Sequence, residues 1–272
     1  MGALSAPGRP GPIITLTTDF GLRDPFVGIM KGVILGICPE ARLVDVSHEI
    51  APQDVLEAQL ALEAAVAFFP AGSVHLAVAD PGVGSRRRAL ALRAAANSFV
   101  GPDNGLFTFA LRAGDWSAVS LEAPQYRLAE VSATFHGRDV FAPAAAHLAL
   151  GVPLARLGPP VKDPVRVGIP VARLDGGQLL GEVIGTDRFG NLVTSVMGCD
   201  LRGDLEGGSV EVAGTSLGPP LDAYAQGPDG APAAIIGSSG RLEIFVRKGS
   251  ARRILAVERG ASVRVRPAGN PG

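Results

Sequence analysis

Four polar turns carry the side chains best suited to chemistry: Thr17-Thr18-Asp19-Phe20-Gly21, Asp80-Pro81-Gly82-Val83-Gly84, Phe135-His136-Gly137-Arg138-Asp139 and Thr186-Asp187-Arg188-Phe189-Gly190-Asn191. Carboxylates and an imidazole at such places can accept a proton, hold a hydroxyl or face a cation. Asp80 closes the apolar run Val74 to Ala79, which has the length and type of a buried strand. Pro81 cannot donate to a sheet ladder, and Gly82 and Gly84 open backbone angles closed to other residues. A carboxylate at the carboxyl end of a buried strand stands where open α/β sheets bind ligands. Three arginines, Arg86, Arg87 and Arg88, follow at once. Taken singly, each feature has an ordinary reading. Asp19 can cap a helix, His136 can bond to backbone, Asp187 can form an Asx turn, and the arginines can be a solvated cluster.

The elements that must position these turns read as alternating strands and helices. Pro12 to Thr18 is β-prone through its branched residues and delivers Asp19. Apolar residues recur at Phe26, Val27, Met30, Val33, Ile34 and Ile37, a helical stripe that Pro39 stops. Ala41 to Ser47 predicts a strand, and Pro52 to Phe68 a helix closed by Pro70-Ala71-Gly72. Ala89 to Arg93 and Ser98 to Gly101 predict strands, and Leu106 to Arg112 a short helix or extended piece. A helix over Val140 to Leu150 follows the His136 turn. The alternation predicts an α/β N-terminal domain with a central, mostly parallel sheet. Composition shifts at Gly158-Pro159-Pro160, and short strands between glycine turns come after it, the pattern of a smaller all-β barrel. The expected division is a loose tail over 1–12, the α/β domain over 13–158, a linker over 159–175 and the barrel over 176–272.

Composition narrows the classes. The chain has 272 residues, a formal net charge of -1, and no basic block beyond the three arginines, so a nucleic-acid partner is not expected. No apolar run reaches the length of a membrane span, and the first dozen residues lack the apolar core of a signal peptide. A cytoplasmic location is the expectation. Cys38 and Cys199 follow no ligand spacing, and phosphate-loop, zinc-helix and nucleophile-elbow motifs are missing, so no metal or cofactor is expected.

Together with Met30-Lys31-Gly32, Asp45-Val46-Ser47-His48, Gly101-Pro102-Asp103-Asn104-Gly105 and Ser238-Ser239-Gly240, the four turns resemble the S-adenosyl-L-methionine (SAM) hydroxide adenosyltransferase family, relatives of the fluorinating and chlorinating enzymes. The match in order and spacing runs from about Ile14 to about Ala251. It implies attack of water on C5′ of the ribose, giving adenosine and L-methionine, in a homotrimer with sites at subunit interfaces. By motif position it implies a catalytic trio of Asp80, Arg87 and His136, with Arg87 and His136 on the nucleophile and Asp80 orienting Arg87 and the water. Arg86 and Arg88 keep the reading of a solvated cluster. Substrate contacts implied in the same way are Asp19 on the ribose hydroxyls, Asp187 and Asn191 near the methionine ammonium, Phe189 packing on the ligand, Ser238 and Ser239 at the amino-acid end, Tyr224 on adenine, and Asn104 as a further substrate-binding residue. The rival readings are a halide-using relative, a SAM methyltransferase and a non-catalytic SAM- or adenosine-binding module. Halide-using relatives lack the acid and the histidine found here as Asp80 and His136. The methyltransferase loop normally follows the first strand and carries a further glycine where Arg86 stands.

Overall fold

The computed structural model describes residues 11–202 and 207–268. Two compact units divide between Gly168 and Ile169. Of the tail expected over 1–12, residues 1–10 lie outside the described residues, and the Pro12 carbonyl accepts from the Arg42 amide at 2.9 Å.

The first unit runs β1 (Ile13–Thr18), α1 (Phe26–Ile37), β2 (Arg42–Ser47), α2 (Val55–Val66), β3 (Val74–Val78), β4 (Ala89–Ala94), β5 (Asn97–Pro102), β6 (Trp116–Ser120) and α3 (Ala142–Ala149). Its 6-stranded sheet has the order β2-β1-β3-β5-β4-β6. β2, β1, β3 and β5 are parallel, and β4 runs antiparallel to both neighbours. Alternation along β1 sorts the two faces. Ile14 and Leu16 pack with Met30 and Ile34 of α1 and the buried alanines of α3. On the other face Ala77 and Phe99 meet Ala58 and Leu62 of α2. Asp54 starts α2 as its cap, accepting from the Glu57 amide at 2.9 Å.

Four details depart from the sequence reading. β6 was not expected. Leu106 to Arg112 forms a short 3-10 turn only at its end, Ala110–Ala113. The helix expected from Val140 starts earlier, as a π-turn over Gly137–Phe141 that runs into α3. The proline-rich stretch expected as a linker is also ordered over its first part. Pro160 bridges Val119, Val161 is buried in the core, and Arg88 reaches Asp163, all within the first unit.

Buried polar groups give this unit a pH signature. His75 on β3 is fully buried, with Nδ1 2.8 Å from Thr15 Oγ1 and its ring stacked on Phe99 at 5.2 Å. Burial lowers its pKa from 6.5 to about 4. The unfolded chain therefore binds the proton more tightly than the fold does. Stability from this group is complete above pH 6.5 and is lost as pH falls from 6.5 toward about 4. The loss should be on the order of 3 kcal/mol by linkage. Denaturant titrations at successive pH values should show this slope in the wild type, and His75→Gln should flatten it.

The second unit is built from β7 (Arg173–Asp175), β8 (Gln178–Thr186), β9 (Leu192–Met197), β10 (Ser209–Val212), β11 (Thr215–Gly218), β12 (Pro232–Ile236), β13 (Arg241–Val246), the short helix α4 (Ala251–Leu255) and β14 (Ser262–Arg266). The strands pair antiparallel in the order β11-β10-β14-β8-β9-β13-β12, with β7 added on β8. Besides β7, β8 pairs with β14 along its first half and with β9 along its second. A bridge from Leu221 to Ile235 draws the chain after β11 toward β12, so the sheet is nearly closed, as expected for a barrel. Val183, Leu192, Val210, Leu242, Ile244 and Val265 fill its interior.

Candidate active site

Two concave regions hold most of the expected site residues, one in each unit. The first is a cavity of about 290 Å3 at the carboxyl ends of β1 and β3, lined by Asp19, Phe20, Phe26, Gln53, Asp80, Val83, Phe135 and His136 among others. β3 is buried along its whole length and presents Asp80 at its end. The Asp19 amide bonds to the Val78 carbonyl at 3.3 Å, so the two carboxylate-bearing strand ends are tied together. Gly84, at φ 76°, lies against the next motif: a Cβ there would come within 2.5 Å of the Ala133 carbonyl oxygen. That close approach brings the Asp80 turn beside the segment leading to His136.

Asp80, Arg87 and His136 form one hydrogen-bonded group. Arg87 Nε donates to Asp80 Oδ1 at 2.9 Å, and Nη2 donates to Asp80 Oδ2. Nη2 also lies 2.9 Å from His136 Nδ1, while Nη1 donates to the Arg88 carbonyl at 3.2 Å. The guanidinium carbon sits 5.3 Å above the Phe141 ring. A guanidinium can only donate, so His136 Nδ1 must accept, and the neutral ring carries its proton on Nε2. Burial lowers the His136 pKa first, and the Arg87 charge lowers it further, which favours this neutral form.

Asp80 and His136 face the cavity, whereas Arg87 does not line it. Both Nη2 protons of Arg87 are engaged by protein groups, Asp80 and His136. Arg88 is not part of a solvated cluster. It pairs with the buried Asp103 at 2.7 Å and with Asp163 at 2.8 Å. Arg86 is exposed.

Asp19 lines the cavity, its Oδ2 accepting from the Gln53 amide at 2.8 Å. Burial raises its pKa, an effect that the hydrogen bond from Gln53 opposes and the nearby Asp80 charge reinforces. Asn104 is not brought to the cavity. Its amide donates to the Ala79 carbonyl at 2.8 Å and its oxygen accepts from the Leu106 amide, so it braces the end of β3 from behind. Sequence reasoning missed the cavity's aromatic wall, in which Phe20, Phe26 and Phe135 meet edge to face at 5.3–6.0 Å. Phe20 and Phe135 flank Asp19 and His136 in sequence, which was the available signal. Gln53 was missed too; it holds φ 68° without being glycine, in a turn read only as a helix start.

The second region is an open groove in the β unit, lined by Asp187, Arg188, Phe189, Asn191, Tyr224, Ser238 and Glu243 among others. Asp187 is spent largely on its own turn. Oδ1 accepts from the amides of Phe189 and Asn191, and Oδ2 accepts from Asn191 Nδ2 at 2.8 Å. Phe189 projects with 78% of its surface exposed, and Ser238 and Ser239 are exposed, though only Ser238 lines the groove. The Tyr224 hydroxyl donates to Glu243 Oε2 at 2.9 Å, and its ring meets Phe245 edge-on. Desolvation, then the carboxylate it bonds, pushes Tyr224 up to about 12. Glu243 is buried, was not expected, and is raised by burial. Gly190 closes the Asp187 turn at φ 85°, and a Cβ there would fall 2.0 Å from Ser250 Oγ. Gly190→Ala should therefore destabilise this unit by about 2–3 kcal/mol, read as a shift in denaturant midpoint.

Comparison with known proteins decides the family. Residues 14–158 match the SAM hydroxide adenosyltransferase N-terminal domain, and residues 181–264 match its C-terminal domain. The chain belongs to the SAM hydroxide adenosyltransferase family. Among its relatives in that family, a Thermus thermophilus protein named (R)-S-adenosyl-L-methionine hydrolase is 45% identical, covering 91% of this chain and 97% of that one. A Salinispora tropica protein of the same name is 41% identical over 94% of this chain and 98% of its own. A fluorinase from an Actinoplanes species is 32% identical over 72% of this chain and 75% of its own. The crystal structure of an uncharacterized conserved protein from Thermotoga maritima superposes with a TM-score of 0.86 at 33% identity, covering 93% of this chain and 99% of that one. Among the described residues, no helix is long and apolar enough to cross a membrane.

Proposed function

We propose that the protein cleaves SAM at C5′ with water, giving adenosine and L-methionine. The observation that carries this reading is the Asp80–Arg87–His136 group at the wall of an aromatic-lined cavity. Water oxygen forms a bond to C5′ as the C5′–S bond breaks, and the bonding pair goes to sulfur, leaving neutral thioether. Charge separation falls as an anionic nucleophile meets a sulfonium, so a site poor in bulk water favours the reaction. His136, neutral with its proton on Nε2, donates to the water oxygen. Asp80 accepts the water proton from its cavity side, and one proton per turnover passes to solvent. Arg87 acts through both: it fixes their geometry and supplies positive charge behind the developing hydroxide. Asp19 accepts from the ribose hydroxyls, and the β-unit groove of a neighbouring subunit supports the methionine end through the Asp187–Asn191 turn and Ser238.

Water is favoured over halide because a buried carboxylate at Asp80 would repel a halide, and a halide needs no proton acceptor. Homotrimeric assembly with sites at subunit interfaces, independence from metals and cofactors, and a cytoplasmic setting belong to the same proposal and rest on the family resemblance. The test is incubation with SAM alone, with chromatography and a pH-stat as readouts. Adenosine and methionine in equal amounts, with one proton released per cleavage, are expected. No turnover would overturn the reading, and a chlorinated nucleoside on adding chloride would favour the halogenase.

A further inference from the structure

Asp45 and His48 form a motif that the reaction does not use, yet their side chains lead to the cavity from behind. Thr18, the last residue of β1, is fully buried, and His48 is only 3% exposed. Thr18 Oγ1 lies 2.8 Å from His48 Nδ1 and accepts from the Phe20 amide at 3.3 Å. His48 Nε2 lies 3.0 Å from Asp45 Oδ1 in a bent contact, and Lys31 Nζ donates to Asp45 Oδ2 at 2.6 Å. The His48 carbonyl accepts from the Gly21 amide at 2.7 Å. This set spans Lys31 on α1, Asp45 on β2, His48 just beyond it and Thr18 on β1.

Thr18 Oγ1 has two lone pairs as well as its proton, so it serves the Phe20 amide and His48 Nδ1 together. His48 Nε2 is aimed at Asp45, whose second oxygen is held by Lys31. Both residues after Asp19 are thus clamped, Phe20 by the Thr18 hydroxyl and Gly21 by the His48 carbonyl. Asp19, directly before them and with its own amide bonded to the Val78 carbonyl, has little freedom to turn its carboxylate.

We propose that Thr18, His48, Asp45 and Lys31 form a polarised relay whose task is to hold Asp19 in register with a vicinal diol, making Thr18 and His48 positioning residues for ribose recognition. The proposal rests on the reading of Asp19 as the ribose contact. Removing the relay should blunt the preference for a diol over a deoxy sugar rather than abolish nucleoside binding.

Thr18→Val removes the hydroxyl at nearly constant volume, and Thr18→Ser restores it. Two readouts are required: the ratio of dissociation constants for 2′-deoxyadenosine and adenosine by calorimetry, and amide hydrogen exchange at Phe20 and Gly21 in the free protein. Thr18→Val should lower the ratio about tenfold and speed exchange at those two amides about tenfold, the scale of one lost hydrogen bond. Thr18→Ser should recover most of both. A wild-type ratio or unchanged exchange in folded Thr18→Val overturns the relay. Should Thr18→Val fail to fold, Asp45→Ala, at a partly exposed position, carries the same two readouts. A wild type that does not cleave SAM sinks the functional reading alone, because the exchange measurement still decides the relay.

Discussion

Asp80→Asn should lower the rate of SAM cleavage by about 10²–10⁴-fold, the range for loss of a positioned proton acceptor. SAM affinity should change by less than about threefold, because the substrate contacts lie elsewhere in the cavity and groove. Single-turnover kinetics and calorimetry on the same preparation separate the two quantities. The amide can still accept one hydrogen bond from Arg87, so the protein should remain folded. What it cannot do is take a proton from water beside His136. Equal loss of affinity and rate would place Asp80 among the substrate contacts instead.

Arg87→Met should show the opposite balance, with stability as the first casualty. The side chains of Arg87 and Asp80 are only 10% and 5% exposed. Removing the cation leaves a carboxylate buried without its partner, which costs about 3–5 kcal/mol. His136 also loses the donor that fixes its tautomer, so activity should fall even where the protein stays folded. The double variant Asp80→Asn with Arg87→Met removes both charges together. It should regain much of the lost stability and none of the activity. A double-mutant cycle in denaturant, run beside turnover measurements, isolates the coupling. Additive stability effects would mean that the pair contributes no coupling to the fold.

The strands that carry the site were plain in the sequence because they are buried on both faces and read as nearly continuous runs of apolar and branched residues. Val74 to Val78 is buried throughout, apolar but for His75, and is followed by Ala79 and Asp-Pro-Gly, so both the strand and the position of Asp80 could be read directly. The reversal at β4 was not legible. The two residues between β4 and β5 are alanines, and Ala95 takes φ 50° without the glycine or asparagine that marks such turns. At the site, the resemblance pointed to Asp80, Arg87 and His136, which the fold brings into one hydrogen-bonded group, but not to who faces the cavity. Three adjacent arginines look alike on paper; three-dimensional neighbours give Arg87 to Asp80, Arg88 to Asp103 and leave Arg86 exposed. Asn104 sits in a conspicuous turn, yet its amide is used up by the Ala79 carbonyl, a contact between residues distant in sequence. Glu243 was passed over because an acidic residue on a strand of alternating pattern reads as solvent-facing, whereas here Tyr224 covers it.

The π-turn at Gly137–Phe141 has a consequence for how the histidine can be altered by insertion or deletion. Its closing bond runs from the Ala142 amide to the Gly137 carbonyl, one residue wider than an α-helical turn. The buried alanines of α3 fix the rotational phase of everything after it. The wide turn therefore acts as a gear offset: it lets α3 keep its packing angle while His136 takes another. Excising one residue from the turn would restore a regular helix and swing the imidazole by about 100° relative to α3. Such a chain could keep the packing of α3 and still carry its histidine away from Asp80, so the fold and the chemistry can be uncoupled by a single codon.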